Sequence, residues 1–164
     1  MTTITHTDLL NALHQRLGER GLLHDPAAMA RYLSDWAGER LGLPLAVERP
    51  ASTAEVAETV RLCQAHGVAM TPQGGHSGLG TGALPASDGN EVVISLERLN
   101  RIRDIDPVNF SMTVDAGCIL EAVKQAAAEH DCDFPLSLGA QGSCQIGGNV
   151  ATNAGGLNVL RHGM

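Results

Sequence analysis

The sequence predicts an α+β fold, and three observations carry that prediction. From Leu45 onward, short apolar runs of strand length alternate with helix signals, the pattern of α/β units. A capping box, Ser52-Thr53-Ala54-Glu55, opens a helix just after a short strand stopped by Pro50. A further strand, Val68–Thr71, runs straight into a glycine-rich stretch instead of a helix.

The 164 residues suffice for one domain with a real core, and 43% hydrophobic residues exclude a disordered composition. Aromatic residues make up only 2%, so the core must rest on Leu, Val, Ile and Ala. A formal net charge of −7 without a basic cluster argues against general nucleic-acid binding. An anion site made of backbone N–H groups needs no net positive charge and stays open. No apolar run approaches the ~20 residues of a membrane span. Cys63, Cys118, Cys132 and Cys144 form no Cys-x-x-Cys pair and no signal-like segment opens the chain, so reduced thiols and a cytoplasmic location are expected. The seven histidines show no metal-ligand spacing, and no metal site is expected.

Residues 1–44 read as an N-terminal helical segment. Thr5-His6-Thr7-Asp8 caps a helix that buries Leu9, Leu10, Leu13 and Leu17 and ends near Gly18. Residues 25–44 are irregular or short-helical, with Trp36 expected as a packing anchor. Leu45-Ala46-Val47 forms a strand. The capping-box helix packs Val56, Val60 and Cys63 and closes at Gly67. Glu91–Leu96 is a strand, and Ile102, Ile105 and the run Phe110–Val114 suggest two more, joined at Asp106-Pro107. Gly117 precedes a helix with Ile119, Val123, Ala126 and Ala127 on one face.

Two glycine-rich stretches concentrate the functional information. The first, Pro72 to Gly82, holds five glycines in the nine residues from Gly74 to Gly82. Successive N–H groups in turns with positive φ form a nest for phosphate oxygens, and Ser77 and Thr81 add hydroxyl donors. The stretch lacks the Lys-Ser/Thr ending of a nucleoside-triphosphate loop and the glycine spacing and helix of a dinucleotide fingerprint. A flexible connection between two strands is the alternative. The second stretch, Gly139 to Gly156, mixes glycine with Ser143, Gln145, Asn149, Thr152 and Asn153. Bare backbone at Gly147-Gly148 allows close approach to a flat surface, and the amides and hydroxyls suit the polar edge of a heterocycle such as a flavin. A structural loop whose polar side chains satisfy their own backbone is the alternative.

Taken together, Pro72-Gln73-Gly74-Gly75-His76-Ser77-Gly78-Leu79 and the long run Pro135–Leu157 resemble the FAD-binding domain (PCMH type) of the vanillyl-alcohol oxidase superfamily. Within it, the chain is similar to FAD-linked D-2-hydroxyacid dehydrogenases, the D-2-hydroxyglutarate and D-lactate dehydrogenases among them. The resemblance implies two α/β subdomains, residues 45–105 and 106–164, the second incomplete. It implies that Pro72, Gln73, Gly74, Gly75, His76, Ser77, Gly78 and Leu79 wrap the FAD diphosphate. Leu136, Ser137, Leu138, Gly139 and Ser143 would border the isoalloxazine and ribityl region. Gly147, Gly148, Asn149, Thr152 and Asn153 would follow the ring and its polar edge, while Asp115-Ala116-Gly117 would be structural.

More distant relatives carry Gly-Gly-His-Ser and join that histidine covalently to the flavin, which makes His76 a candidate tether. Noncovalent FAD with His76 near the diphosphate is the favoured reading. Cys144 is read as a small buried residue. The implied reaction is oxidation of a small D-2-hydroxy acid to a 2-oxo acid, with electrons passed to a separate acceptor. A glycolate-oxidase flavin subunit and a truncated chain without turnover are the alternatives. Because the sequence stops on a ligand loop, it is expected to be the N-terminal piece of something longer. The substrate domain would then be absent, and the catalytic residues unknown.

Overall fold

The computed structural model describes residues 6–86 and 88–163. They form a mixed α/β fold that divides into two compact units. The first runs to Gln73 and resumes over Gly78–Arg98; the second comprises Gly74–Ser77 and the chain from Leu99 onward.

In the first unit, helix α1 (His6–Gly21) leads into β1 (Leu22–Leu23), followed by α2 (Pro26–Met29), a 3-10 turn at Ala30–Tyr32, β2 (Ala46–Glu48), α3 (Thr53–His66), β3 (Ala69–Gln73) and β4 (Glu91–Ser95). The sheet order is β1-β2-β4-β3, with β1 antiparallel to β2 and the other neighbours parallel. Strands β2 and β4 are interior to the sheet and buried along their whole length. One face packs Leu9 and Leu13 of α1 and Leu62 and Cys63 of α3 against Ala46, Val92 and Ile94. The opposite face covers Val47 and Val93 with Met29 and Tyr32.

Helix α1 continues to Gly21 through a non-helical Gly18 with φ 64°. The expected Thr5 cap lies outside the described residues. The capping box on α3 forms with one change of partner. Ser52 Oγ accepts from Glu55 N at 3.2 Å, and the Glu55 carboxylate reaches back to Ala51 N at 2.7 Å. Gly67 closes the helix in the left-handed conformation, its N–H returning to Cys63 O and Gln64 O.

Two packing expectations fail here. Trp36 is 76% exposed and lies outside both buried clusters of the described residues. The ring that packs is Tyr32, whose hydroxyl donates to Glu97 while Arg31 lies over its face at 4.6 Å. On α3 the buried stripe is Thr59, Leu62 and Cys63, and Val60 faces out. The helix is rotated because polar Thr59 turns inward to meet Glu48, fully buried on β2.

The second unit contains a two-stranded antiparallel hairpin, β5 (Ile102–Asp106) and β6 (Ser111–Val114), then α4 (Leu120–Ala128), α5 (Ile146–Ala151) and α6 (Val159–His162). Helix α4 buries Leu120, Val123 and Ala127, whereas Ile119 is its N-cap and 39% exposed. The second glycine stretch is not all loop, because α5 runs through Gly147-Gly148. A short helix at Val159–His162 likewise follows where no closing element is expected. The four cysteines are unpaired thiols, and burial pushes the Cys63 thiol up to about 12, so it stays protonated.

Candidate functional site

Glycine explains how the two stretches meet in the second unit. A Cβ built on Gly75 would lie 1.9 Å from Ser143 O and 2.9 Å from Cys144 Cα. One built on Gly74 would sit 3.6 Å from Gln145 Oε1 and 3.8 Å from Gly148 Cα. The segment Gly74–Ser77 is therefore laid backbone to backbone on residues 143–148. Two more contacts of this kind hold the second stretch. A Cβ at Gly147 would meet Ala116 Cβ at 2.8 Å, and one at Gly156 would meet Ser137 O at 2.2 Å.

The second stretch is anchored on the turn that links β6 to α4. Ile146 N donates to Cys118 O at 2.9 Å and Gly147 N to Ala116 O at 2.7 Å. In return, Leu120 N donates to Cys144 O and Glu121 N to Gln141 O, which uses the free amides at the start of α4. Asp115, 8% exposed, fixes the turn through Arg103 Nε at 2.6 Å. Asp115-Ala116-Gly117 forms this turn. Burial pushes the Cys118 thiol up as well. Buried Cys144 receives a contact from Asn149 Nδ2 at 3.6 Å.

The sequence candidates fall as follows. Pro72 is exposed and Gln73 fully buried at the end of β3; Gly78 and Leu79 are exposed, and all four belong to the first unit. Gly74, Gly75, His76 and Ser77 are half-buried in the second unit, with His76 in the left-handed region at φ 54°. A histidine in that region is uncommon, and strain of this kind clusters at functional loops. Leu136, Ser137 and Leu138 are half-buried, and Gly139 and Ser143 are exposed. Gly147 and Gly148 sit in the first turn of α5, Asn149 is buried, and Thr152 and Asn153 are exposed at its end.

Leu136, Asn149 and Asn153 come together along a cleft of about 350 Å³, which Val150, Ala154 and Asn158 also line. That volume is at the lower end of the ~300–1,000 Å³ typical of small-molecule sites. Glycines with nothing within 4 Å of a built Cβ, among them Gly78, Gly139 and Gly148, present bare backbone to open space.

Three residues here lie outside the cofactor set that the resemblance implies. Gln145, the N-cap of α5, is 7% exposed, and its Oε1 is buried without a hydrogen bond beside Gly74. Its place just before the Ile146-Gly147-Gly148 run was the available signal. Lys124 Nζ donates to Phe134 O at 3.2 Å and Leu136 O at 3.1 Å, and Asn158 Nδ2 donates to Pro135 O at 2.8 Å. These side chains pin the segment leading to Leu136, and no local pattern announces them. Lys124→Met should destabilise the chain by about 1 kcal/mol, since two part-exposed carbonyls lose their donor. Urea unfolding measures this, with Lys124→Arg expected to retain most of the stability. An unchanged midpoint in Lys124→Met would show the pin to be idle.

Residues 44–164 match the family described as FAD binding domain. The chain belongs to this FAD-binding family. It is a PCMH-type domain of the vanillyl-alcohol oxidase superfamily, related to FAD-linked D-2-hydroxyacid dehydrogenases. It is 44% identical over 152 residues to D-2-hydroxyglutarate dehydrogenase of Xanthomonas citri pv. viticola, covering 93% of this chain and 32% of that protein. To the mitochondrial D-2-hydroxyglutarate dehydrogenase of Bos taurus it is 39% identical over 161 residues, covering 98% and 29%. The chain thus spans about a third of the length of these relatives. Among solved structures, alkyldihydroxyacetonephosphate synthase superposes with a TM-score of 0.87 over 98% of this chain and 31% of that one. At 18% identity this likeness concerns the fold.

The expected cytoplasmic location does not stand. Relatives from Oryza sativa, Bos taurus, Danio rerio, Rattus norvegicus and Arabidopsis thaliana are named mitochondrial. Free thiols fit any reducing compartment, so cysteine usage could not separate one from another. Among the described residues, no helix is long and apolar enough to cross a membrane.

The residues fit the family's cofactor. FAD needs bare backbone for its diphosphate, a cleft for its ring system, and acceptors for its ring N–H and ribityl hydroxyls. The open glycines, the cleft at Asn149 and the unsatisfied Gln145 Oε1 are groups of those kinds.

Proposed function

We propose that this chain is the FAD-holding portion of a flavin-dependent D-2-hydroxyacid dehydrogenase. The observation that carries the substrate class is the 44% identity, over nearly the whole chain, to a D-2-hydroxyglutarate dehydrogenase. When bound, FAD supplies a two-electron acceptor for oxidation of a secondary alcohol beside a carboxylate. A separate acceptor then takes the electrons.

The chain's own residues hold and orient that cofactor. Pro72 to Leu79 offer backbone N–H groups and the Ser77 hydroxyl to the diphosphate. Leu136 to Gly139 and Ser143 flank the ribityl side. Gly147 and Gly148 bring backbone close to the ring, and Asn149, Thr152 and Asn153 meet its polar edge. Gln145 joins this set, because a buried amide oxygen without a partner is costly until a donor reaches it. His76 faces the diphosphate side without a covalent bond.

Titration of the purified chain with FAD tests the reading. Flavin absorbance bands should shift and sharpen, its fluorescence should fall, and the cofactor should survive gel filtration. A chain that neither shifts nor retains flavin would overturn the proposal. Acid precipitation of the loaded protein should leave all yellow colour in the supernatant. Colour in the pellet would instead reveal a His76 tether.

A further inference from the structure

Gln73 ends β3 and is fully buried in the first unit. Its backbone is locked in the sheet, where it pairs with Ser95 and accepts from Leu96 N at 3.0 Å. Its side chain does something separate. Nε2 donates to Tyr32 O at 2.9 Å and to Ala83 O at 2.8 Å. Both partners are carbonyl oxygens, so only the amide nitrogen can face them, and it spends both of its hydrogens there. Tyr32 is itself fixed, 3% exposed and hydrogen-bonded to Glu97.

The stretch from Gly74 to Gly82 lies between Gln73 and Ala83. With five glycines in nine residues it has more conformational freedom to lose than almost any other sequence of that length. Its first end is held by the sheet. Near its second end, Leu84 N closes a turn onto Thr81 O at 2.9 Å, and Thr81 takes a left-handed φ of 56°. The Gln73 amide ties that second end back to the first and to the rigid Tyr32 turn.

We infer that Gln73 is a positioning residue: its buried amide is the strut that closes the glycine stretch and sets its backbone before FAD arrives. This rests on the proposed function for the identity of the ligand, but not for the strut itself. A preorganised stretch binds more tightly because less ordering remains to be done on binding. Its Oε1 is buried without a hydrogen-bond partner among the described residues, and the effect of the two Nε2 donations reaches FAD through Gly74 to Gly82.

Gln73→Met removes both donors at similar volume, and Val92→Ala, deep in the same sheet but on the face away from Tyr32, serves as a control for general destabilisation. Hydrogen exchange of the flavin-free chain should rise at the amides of residues 74–83 in Gln73→Met alone. FAD affinity should fall about tenfold or more in Gln73→Met beyond any loss in Val92→Ala, as expected when two hydrogen bonds that set the loop are lost. Gln73→Glu adds a signature that a merely structural role lacks. Ionised, it sets a carboxylate against two carbonyl oxygens; protonated, it regains one donor. Its FAD affinity relative to wild type should therefore improve on acidification, while that of Gln73→Met stays flat. Equal exchange and equal FAD affinity in Gln73→Met and Val92→Ala would overturn the strut. Absence of flavin binding by the wild type would overturn the proposed function instead, and the exchange measurement would still decide the strut.

Discussion

Gly75→Ala is expected to abolish flavin binding, with destabilisation of about 3 kcal/mol or more if the two glycine stretches stay together. The methyl group would have to occupy a point 1.9 Å from Ser143 O, 2.8 Å from Ser143 C and 2.9 Å from Cys144 Cα. All three are backbone atoms, so no rotamer change relieves the overlap. Nor is the opposing backbone free to yield. Cys144 N donates to Ala140 O at 2.8 Å, Cys144 O accepts from Leu120 N, and the side chain is 2% exposed. Either the second unit absorbs the strain, or Gly74–Ser77 lifts off residues 143–148 and the two motifs part. Both outcomes remove the cofactor.

Gly148 provides the contrast. Nothing lies within 4 Å of a Cβ built there, and the residue is helical. Gly148→Ala should leave stability unchanged or raise it by roughly 0.5–1 kcal/mol, because alanine is the better helix former. On the proposed placement of the ring it should nonetheless weaken FAD, since the methyl would enter the open space beside this backbone. Urea unfolding and FAD titration of both variants separate a glycine kept for packing from one kept for the ligand. A Gly75→Ala protein with wild-type midpoint and flavin affinity would refute the backbone contact. A Gly148→Ala protein that binds FAD normally would remove Gly148 from the cofactor surface.

These two glycines mark what the sequence could and could not tell. Turn and cap chemistry was legible because it is local: Ser52 and Glu55 start α3, and Gly67 stops it. The motifs were legible as motifs, but the close contact between them was not. Gly75 touches Ser143 at a separation of 68 residues, which no local pattern encodes. Helix α5 was hidden for a related reason. Gly147-Gly148 argues against a helix by propensity, yet the close approach to Ala116 requires a residue without Cβ at that turn. Polar residues inside the first unit were hidden too. An apolar-periodicity reading of α3 passes over Thr59, because its partner Glu48 lies on another element. Trp36 failed by the same logic, since size and apolarity do not ensure burial when nothing folds over the residue.

Glu48 provides the second large effect. It lies on the interior strand β2, fully buried, with Oε2 accepting from the Thr59 hydroxyl and Oε1 left without a partner. Burial dominates and favours the neutral acid, while the Thr59 bond opposes it, and the carboxyl is pushed up to about 7. Among the described residues no cation offsets this; the neighbouring titratable group on α3 is the Cys63 thiol, which stays neutral well above that range. The folded state therefore holds a proton that the unfolded chain releases near pH 4.5. The associated stability is fully present below about pH 4.5 and is lost as pH rises toward about 7. The loss is on the order of 3 kcal/mol, from about 1.4 kcal/mol per pKa unit. Glu48→Gln keeps the shape and an acceptor for Thr59 but cannot ionise. Its unfolding free energy, measured in urea from pH 4.5 to 8, should lack this fall, so that relative to wild type the variant gains steadily up to about pH 7 and then levels. Parallel pH profiles for the two proteins would mean that Glu48 ionises as readily folded as unfolded, and that its buried carboxyl exerts no hold on the first unit.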